Sequence, residues 1–141
     1  MNTGQLTILH LATILPAFLI GTVLMLRRKG TRSHRLWGKM FLVLMLSTAV
    51  ITLFMPAAVG TRWLNHFGVI HLFCILVFIS VPRAYFAARS GNIRAHRKNM
   101  IGLYVGAVLI AGIFAFAPGR MLNRVLHGEG FSVSPAAPIV R

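Results

Sequence analysis

Long apolar stretches alternate with short basic ones along this chain. Leu6 to Leu26 holds no charged residue and is followed at once by Arg27-Arg28-Lys29. A second apolar stretch runs from about Leu36 to Ala58, a third from about Trp63 to Ala88, and a fourth from about Met100 to Ala117. Each exceeds the roughly 17 residues a helix needs to cross the hydrocarbon of a bilayer. In lipid a segment must satisfy its own backbone N–H and C=O groups, so the four stretches predict transmembrane helices. The expected fold is all-α, an integral membrane four-helix bundle made of two tandem helical hairpins. It occupies residues 1–120, and residues 121–141, rich in Gly, Ser and Pro, read as a poorly ordered tail. Pro82 is expected to kink the third span near its end, and Pro118-Gly119 to stop the fourth.

Composition strengthens the membrane reading. Hydrophobic residues make up 57% of the 141 positions and charged residues only 11%, against roughly 25% charged in a soluble domain. So little polar surface cannot cover a water-facing globule. The segment before the first span, Met1 to Gln5, lacks positive charge, and the basic run after the span reads as a stop-transfer flank, not a cleavage site.

Charge then gives an orientation. The first-to-second connection and its flanks hold Arg27, Arg28, Lys29, Arg32, Arg35 and Lys39, and the third-to-fourth holds Arg83, Arg89, Arg94, Arg97 and Lys98. Only Arg62, Arg120, Arg124 and Arg141 fall on the opposite side. Eleven against four predicts cytoplasmic hairpin loops and outside termini. Anionic lipid headgroups are the expected partners of these loops, and the net charge of +14 is not read as nucleic-acid binding. A single acid, Glu129, excludes paired-carboxylate hydrolysis and a carboxylate cluster for Mg or Ca. The lone Cys74, inside an apolar run, reads as packing.

The two halves resemble each other. The first has His10-Leu11, Gly30 and Arg32-Ser33-His34-Arg35; the second has His71-Leu72, Gly91 and Arg94-Ala95-His96-Arg97. The histidine separations are 24 and 25 residues, and each R-x-H-R string precedes the second span of its half. Two hairpins that start on the same side form a parallel repeat about an axis along the membrane normal. That symmetry pairs His10 with His71 toward the outer face and His34 with His96 toward the inner. At about 1.5 Å per residue, the outer pair lies roughly 8–10 Å from its helix midpoints and the inner pair roughly 18 Å.

Two imidazoles facing across a bundle core are the axial ligation of a low-spin b-type haem. His10 and His71 are the candidate iron ligands, His34 and His96 candidates for a second haem or a quinone. Arg120, with Arg32, Arg35, Arg94 and Arg97, could pair with propionates. The scheme is architecturally similar to di-haem transmembrane b-type cytochromes, although the inner pair lies close to the interface for such a role. Structural histidines bonded to a neighbouring helix are the bland alternative. A zinc or copper site recruiting His66 or His127 is another, with no recognised ligand spacing to support it. Gly102-x-x-x-Gly106, Gly21 and Gly38 are expected to let helices approach closely. Trp63, Trp37 and Tyr85 read as interface anchors, and Met40, Met45 and Met55 as core filler.

Three strings carry a family resemblance: His10-Leu11-Ala12-Thr13, Arg32-Ser33-His34-Arg35-Leu36-Trp37-Gly38, and Arg94-Ala95-His96-Arg97-Lys98-Asn99-Met100. Together they resemble an uncharacterised, domain-of-unknown-function family of bacterial four-helix integral membrane proteins, over Leu6 to Arg120. The resemblance implies that His10, His34, Gly38, His96, Met100 and Arg120 fall on motif positions, and that His71 matches a histidine opening the third span. It implies a bacterial inner membrane and lends no reaction.

The leading expectation is a small membrane redox protein binding haem b. The alternatives are a non-catalytic accessory or assembly subunit of a larger membrane complex, and a lipid- or quinone-binding module. Whether the protein is an enzyme stays open at this point.

Overall fold

The computed structural model describes residues 3–55, 70–110, 112–113 and 127–128. Among these, four helices and no strand are formed. They are α1 (Thr3–Leu26), α2 (Arg32–Leu53), α3 (Ile70–Arg89) and α4 (Ile93–Leu103), the last running directly into a π-helical segment, Tyr104–Ile110. The chain is an all-α bundle. α1, α2 and the stretch His71–Arg89 are each long and apolar enough to cross a membrane. The Pro16 of α1 and the Pro82 of α3 both lie within continuous helix.

Packing follows chain order. α1 lies along α2, α3 along α4, and α2 against α3, while the π segment closes the ring by touching both α3 and α1. In this arrangement α1 stands opposite α3, and α2 opposite α4. On α3 the inward face reads His71, Cys74, Val77, Val81 and Ala84, all buried, at helical spacing. Its other face carries Leu72, Ile75, Ile79 and Phe86, exposed and equally apolar. A water-facing helix would be polar there, so the apolar exterior is the lipid-facing surface of a membrane bundle.

Both hairpins turn in the same way. Gly30 and Gly91 take positive φ values of 86° and 74°, a region that favours glycine. Each is followed by an N-cap. Thr31 accepts a hydrogen bond from the His34 N–H at 3.0 Å, and Asn92 accepts one from the Ala95 N–H at 3.0 Å. Each cap satisfies a backbone donor that the first helical turn would leave open.

These caps correct the predicted boundaries. α2 begins at Arg32 and α4 at Ile93, so both R-x-H-R strings lie inside helices, not ahead of them. Hydropathy could not locate these starts, because Arg, Lys and Ala are strong helix formers whatever their polarity. α2 also ends earlier than expected, at Leu53 with Phe54 as its C-cap. The expected start of the third span, the end of the fourth, and the tail lie outside the described residues, His127 and Gly128 apart.

Close packing is carried by two glycines. A Cβ on Gly21 would meet the rings of Phe41 and Tyr104 at 2.8 Å, and one on Gly106 would meet the Leu76 Cδ2 at 2.5 Å. Gly38 and Gly102 have open space around them, so neither makes the close approach expected of it. Met45 is core as expected, whereas Met40 is 43% exposed.

Candidate functional site

At the end of the bundle away from the turns, the core is small and polar. His10 and Thr13 of α1, about one helical turn apart, face Thr48 and Thr52 of α2, also about one turn apart. The Thr48 hydroxyl donates to the Thr13 hydroxyl at 2.7 Å, and Thr13 donates to the His10 carbonyl at 2.9 Å. Thr52 donates to the Thr48 carbonyl at 2.8 Å and lies 3.0 Å from the His10 Nδ1. A hydroxyl has one proton to give, and Thr52 gives it to Thr48. His10 is therefore the donor to Thr52. Its Nδ1 then carries a proton.

Opposite α1, His71 opens the described part of α3 and is only 6% exposed, with its Nε2 buried. The residues lining this half are small: Ala17, Thr48, Ala49, Thr52 and Cys74 are all buried. The half nearer the turns is filled differently. There Phe41 and Leu103 are fully enclosed, and Tyr104 hydrogen-bonds Thr22 at 2.6 Å across from the π segment.

The turn end holds the other two histidines. His96 lies 2.8 Å through Nδ1 from the Ala84 carbonyl of α3. A carbonyl only accepts, so His96 carries a proton on Nδ1, as His10 does. His34 is half-buried and lies within electrostatic range of His96 and Lys29. Its Nδ1 is buried with no hydrogen-bond partner among the described residues. Measured along α2, His34 stands about 13 Å from the helix midpoint, not 18 Å, because the helix starts earlier than its apolar run.

The two R-x-H-R strings are not in equivalent register. His10 and His71, Gly30 and Gly91, and the caps Thr31 and Asn92 are each 61 residues apart, but His34 and His96 are 62 apart. His34 is the third residue after its cap and His96 the fourth. One residue turns a helix by about 100°, so the same four letters present their imidazoles in different directions.

Arg120 and His66 lie outside the described residues. Arg32, Arg35, Arg94 and Arg97 are all exposed, and Met100 packs against the core. His127 lies exposed in a turn. Among the described residues, no three or more His, Cys, Asp or Glu side chains come together. The sequence pattern did not single out Thr13, Thr48 and Thr52. The available signal was their spacing, since Thr48 and Thr52 are four apart, as are no other hydroxyl residues in the second apolar stretch.

Residues 7–132 match the family described as "Predicted membrane protein (DUF2306)". No curated protein and no solved structure matches the chain.

Proposed function

The chain belongs to this family of predicted membrane proteins, and from that premise we propose a small membrane redox protein that holds a b-type haem between His10 and His71. One observation carries the reading: the Thr52 hydroxyl holds the His10 Nδ1–H, so Nε2 is the nitrogen that would bind iron. An iron-ligating histidine almost always has its other ring N–H held by such an acceptor. Three further features fit. His71 is buried on the helix opposite, the surrounding core residues are small, and apolar walls exclude water.

Bound haem supplies a one-electron ferric/ferrous couple. The residues do the rest. His10 and His71 would bind the iron, and Thr52 would orient His10. Arg120 is the proposed propionate partner on the same side. The basic turns face the cytoplasm of a bacterial inner membrane in this reading, so electrons pass between the outer half of the bundle and an acceptor in or across the membrane. At the turns, His34 and His96 would be the contacts for a second haem or a quinone, each from its own direction because their registers differ by one residue.

The test is spectroscopic. The protein, expressed with haem precursor supplied and purified in detergent, should give Soret and α-bands in a dithionite-reduced minus oxidised spectrum. Absence of both overturns the reading. His10→Ala and His71→Ala should each remove the haem, and full retention in both would show the pairing to be wrong.

A second reading, a non-catalytic accessory subunit of a larger membrane complex, has one observation in its favour. His10 and His96 each tie one helix to the next by a hydrogen bond, which a purely structural histidine also does. A haem-free spectrum together with loss of stability in His10→Ala would support it.

A further inference from the structure

At the turn end, α1 and α2 diverge around a groove of about 500 Å³, within the roughly 300–1,000 Å³ of ordinary ligand sites. Leu19 and Val23 of α1 form one apolar wall, Trp37 and His34 of α2 the other, and Arg27 and Arg28 stand at its mouth. Leu19 and Val23 are 63% and 46% exposed. On a membrane helix that exposure is toward lipid tails, so the groove opens sideways into the bilayer.

Its mouth lacks a counter-charge. The chain has a single acid, Glu129, against 15 Lys and Arg. Neither guanidinium has a hydrogen-bond partner among the described residues, although Lys29 beside them donates to the Met25 carbonyl at 2.9 Å. The first turn of α2 adds to the positive potential. The His34 N–H is capped by Thr31, but the N–H groups of Arg32 and Ser33 precede the first intrahelical bonds and point out of the helix end. His34, whose Nδ1 is buried with no partner among the described residues, lines the same groove. A neutral amphiphile such as a quinone would leave two arginines unmatched. A phosphodiester would supply one negative charge and acceptor oxygens that two guanidiniums can share, and a headgroup without its own cation would leave that charge to them.

We propose that this groove binds one anionic phospholipid from the leaflet at the turns. Its phosphodiester sits between Arg27, Arg28 and the start of α2, and its acyl chain lies along Leu19 and Val23. The site is distinct from the general attraction of a basic surface. The α3–α4 turn carries Arg89, Arg94, Arg97 and Lys98, but the concavity beside it is shallow and is lined by the turn and the first residues of α4 alone. The inference is independent of haem.

Trp37 reports on the site once Trp63→Phe has removed the other tryptophan. The protein is placed in phosphatidylcholine vesicles containing a few mole per cent of brominated lipid, either phosphatidylglycerol or phosphatidylcholine. Quenching by brominated phosphatidylglycerol should be several-fold stronger and should saturate. In R27Q/R28Q it should fall to the phosphatidylcholine level, whereas R94Q/R97Q should keep the preference. Equal quenching by the two headgroups in the unmodified background overturns the site without any variant. So does a preference that survives R27Q/R28Q, or one lost equally in R94Q/R97Q, which would mean diffuse surface charge. Displacement of the brominated lipid by a neutral quinone, and not by unlabelled phosphatidylglycerol, would assign the groove to quinone instead.

Discussion

The α1–α2 and α3–α4 hairpins have similar turns, yet different forces hold them together. In the first, threonines and His10 lace the two helices far from the turn, and the Gly21 backbone lies against the rings of Phe41 and Tyr104. In the second, the polar tie is at the turn, from His96 to the Ala84 carbonyl, and the close glycine meets only the tip of Leu76. The R-x-H-R strings show the same divergence. One residue of register sends His96 back to its own hairpin partner and leaves His34 facing a groove. Similar letters and similar turns thus do not make similar sites. What decides is where the cap falls relative to the imidazole.

The strongest way to break this comparison is through the glycines. Gly21→Ala puts a methyl group into two aromatic rings, one of them held by the Tyr104–Thr22 hydrogen bond. Overpacking of this kind costs about 1–3 kcal/mol. Gly106→Ala meets a terminal methyl that can rotate away, so its cost should be under half as large. Gly38→Ala and Gly102→Ala, with open space around them, should be neutral or stabilise by up to about 1 kcal/mol through helix propensity. Unfolding in mixed micelles, followed by circular dichroism, ranks the four. Equal losses at Gly21 and Gly106 would erase the difference between the hairpins.

Thr52→Val comes next in overall effect. In stability it should lose about 0.6 kcal/mol, the average for a side-chain hydrogen bond within a membrane bundle. If haem is bound, its affinity should fall about 10–100-fold, because His10 loses the acceptor that holds its tautomer. Haem titration of the apoprotein separates the two readouts. A loss of stability with unchanged haem affinity would leave the threonine layer as scaffolding only.

The smallest effects compare the turn histidines directly. His96→Ala removes the tie to Ala84 and should cost about 0.6 kcal/mol. His34→Ala removes a ring nitrogen with no partner among the described residues, so its stability change should be near zero. The same micelle unfolding measures both. Equal costs would mean that the register difference has no energetic consequence.

The helices were legible in the sequence because lipid imposes a simple rule, long apolar runs with self-satisfied backbones. α1 was found almost residue for residue. The starts of α2 and α4 were not, since the residues there are polar and a hydropathy reading is blind to them. The caps that set them, Thr31 and Asn92, are ordinary polar residues whose role depends on the glycine before each. His10, His34, His71 and His96 stood out as polar residues in or beside apolar spans, and the structure puts all four within the bundle's helices. Their register difference was hidden, because matching R-x-H-R to R-x-H-R aligns letters and not helix starts. The threonine ladder was overlooked for a related reason. Threonine is weakly polar and unremarked in a membrane span until its partner on another helix is known.

The π-helical segment from Tyr104 to Ile110 has a bearing on how such chains change length over evolutionary time. A turn closed by i→i+5 bonds accommodates one residue more than an α turn. A single residue inserted into an α-helix rotates everything after it by about 100°, which in a bundle would turn a lipid-facing row inward. Absorbed in a π turn, the same insertion leaves later faces in phase. In this chain the segment therefore acts as a buffer. Deleting one residue between Val105 and Leu109 should convert it to regular α-helix, with Tyr104 still against Gly21 and Ile113 still exposed.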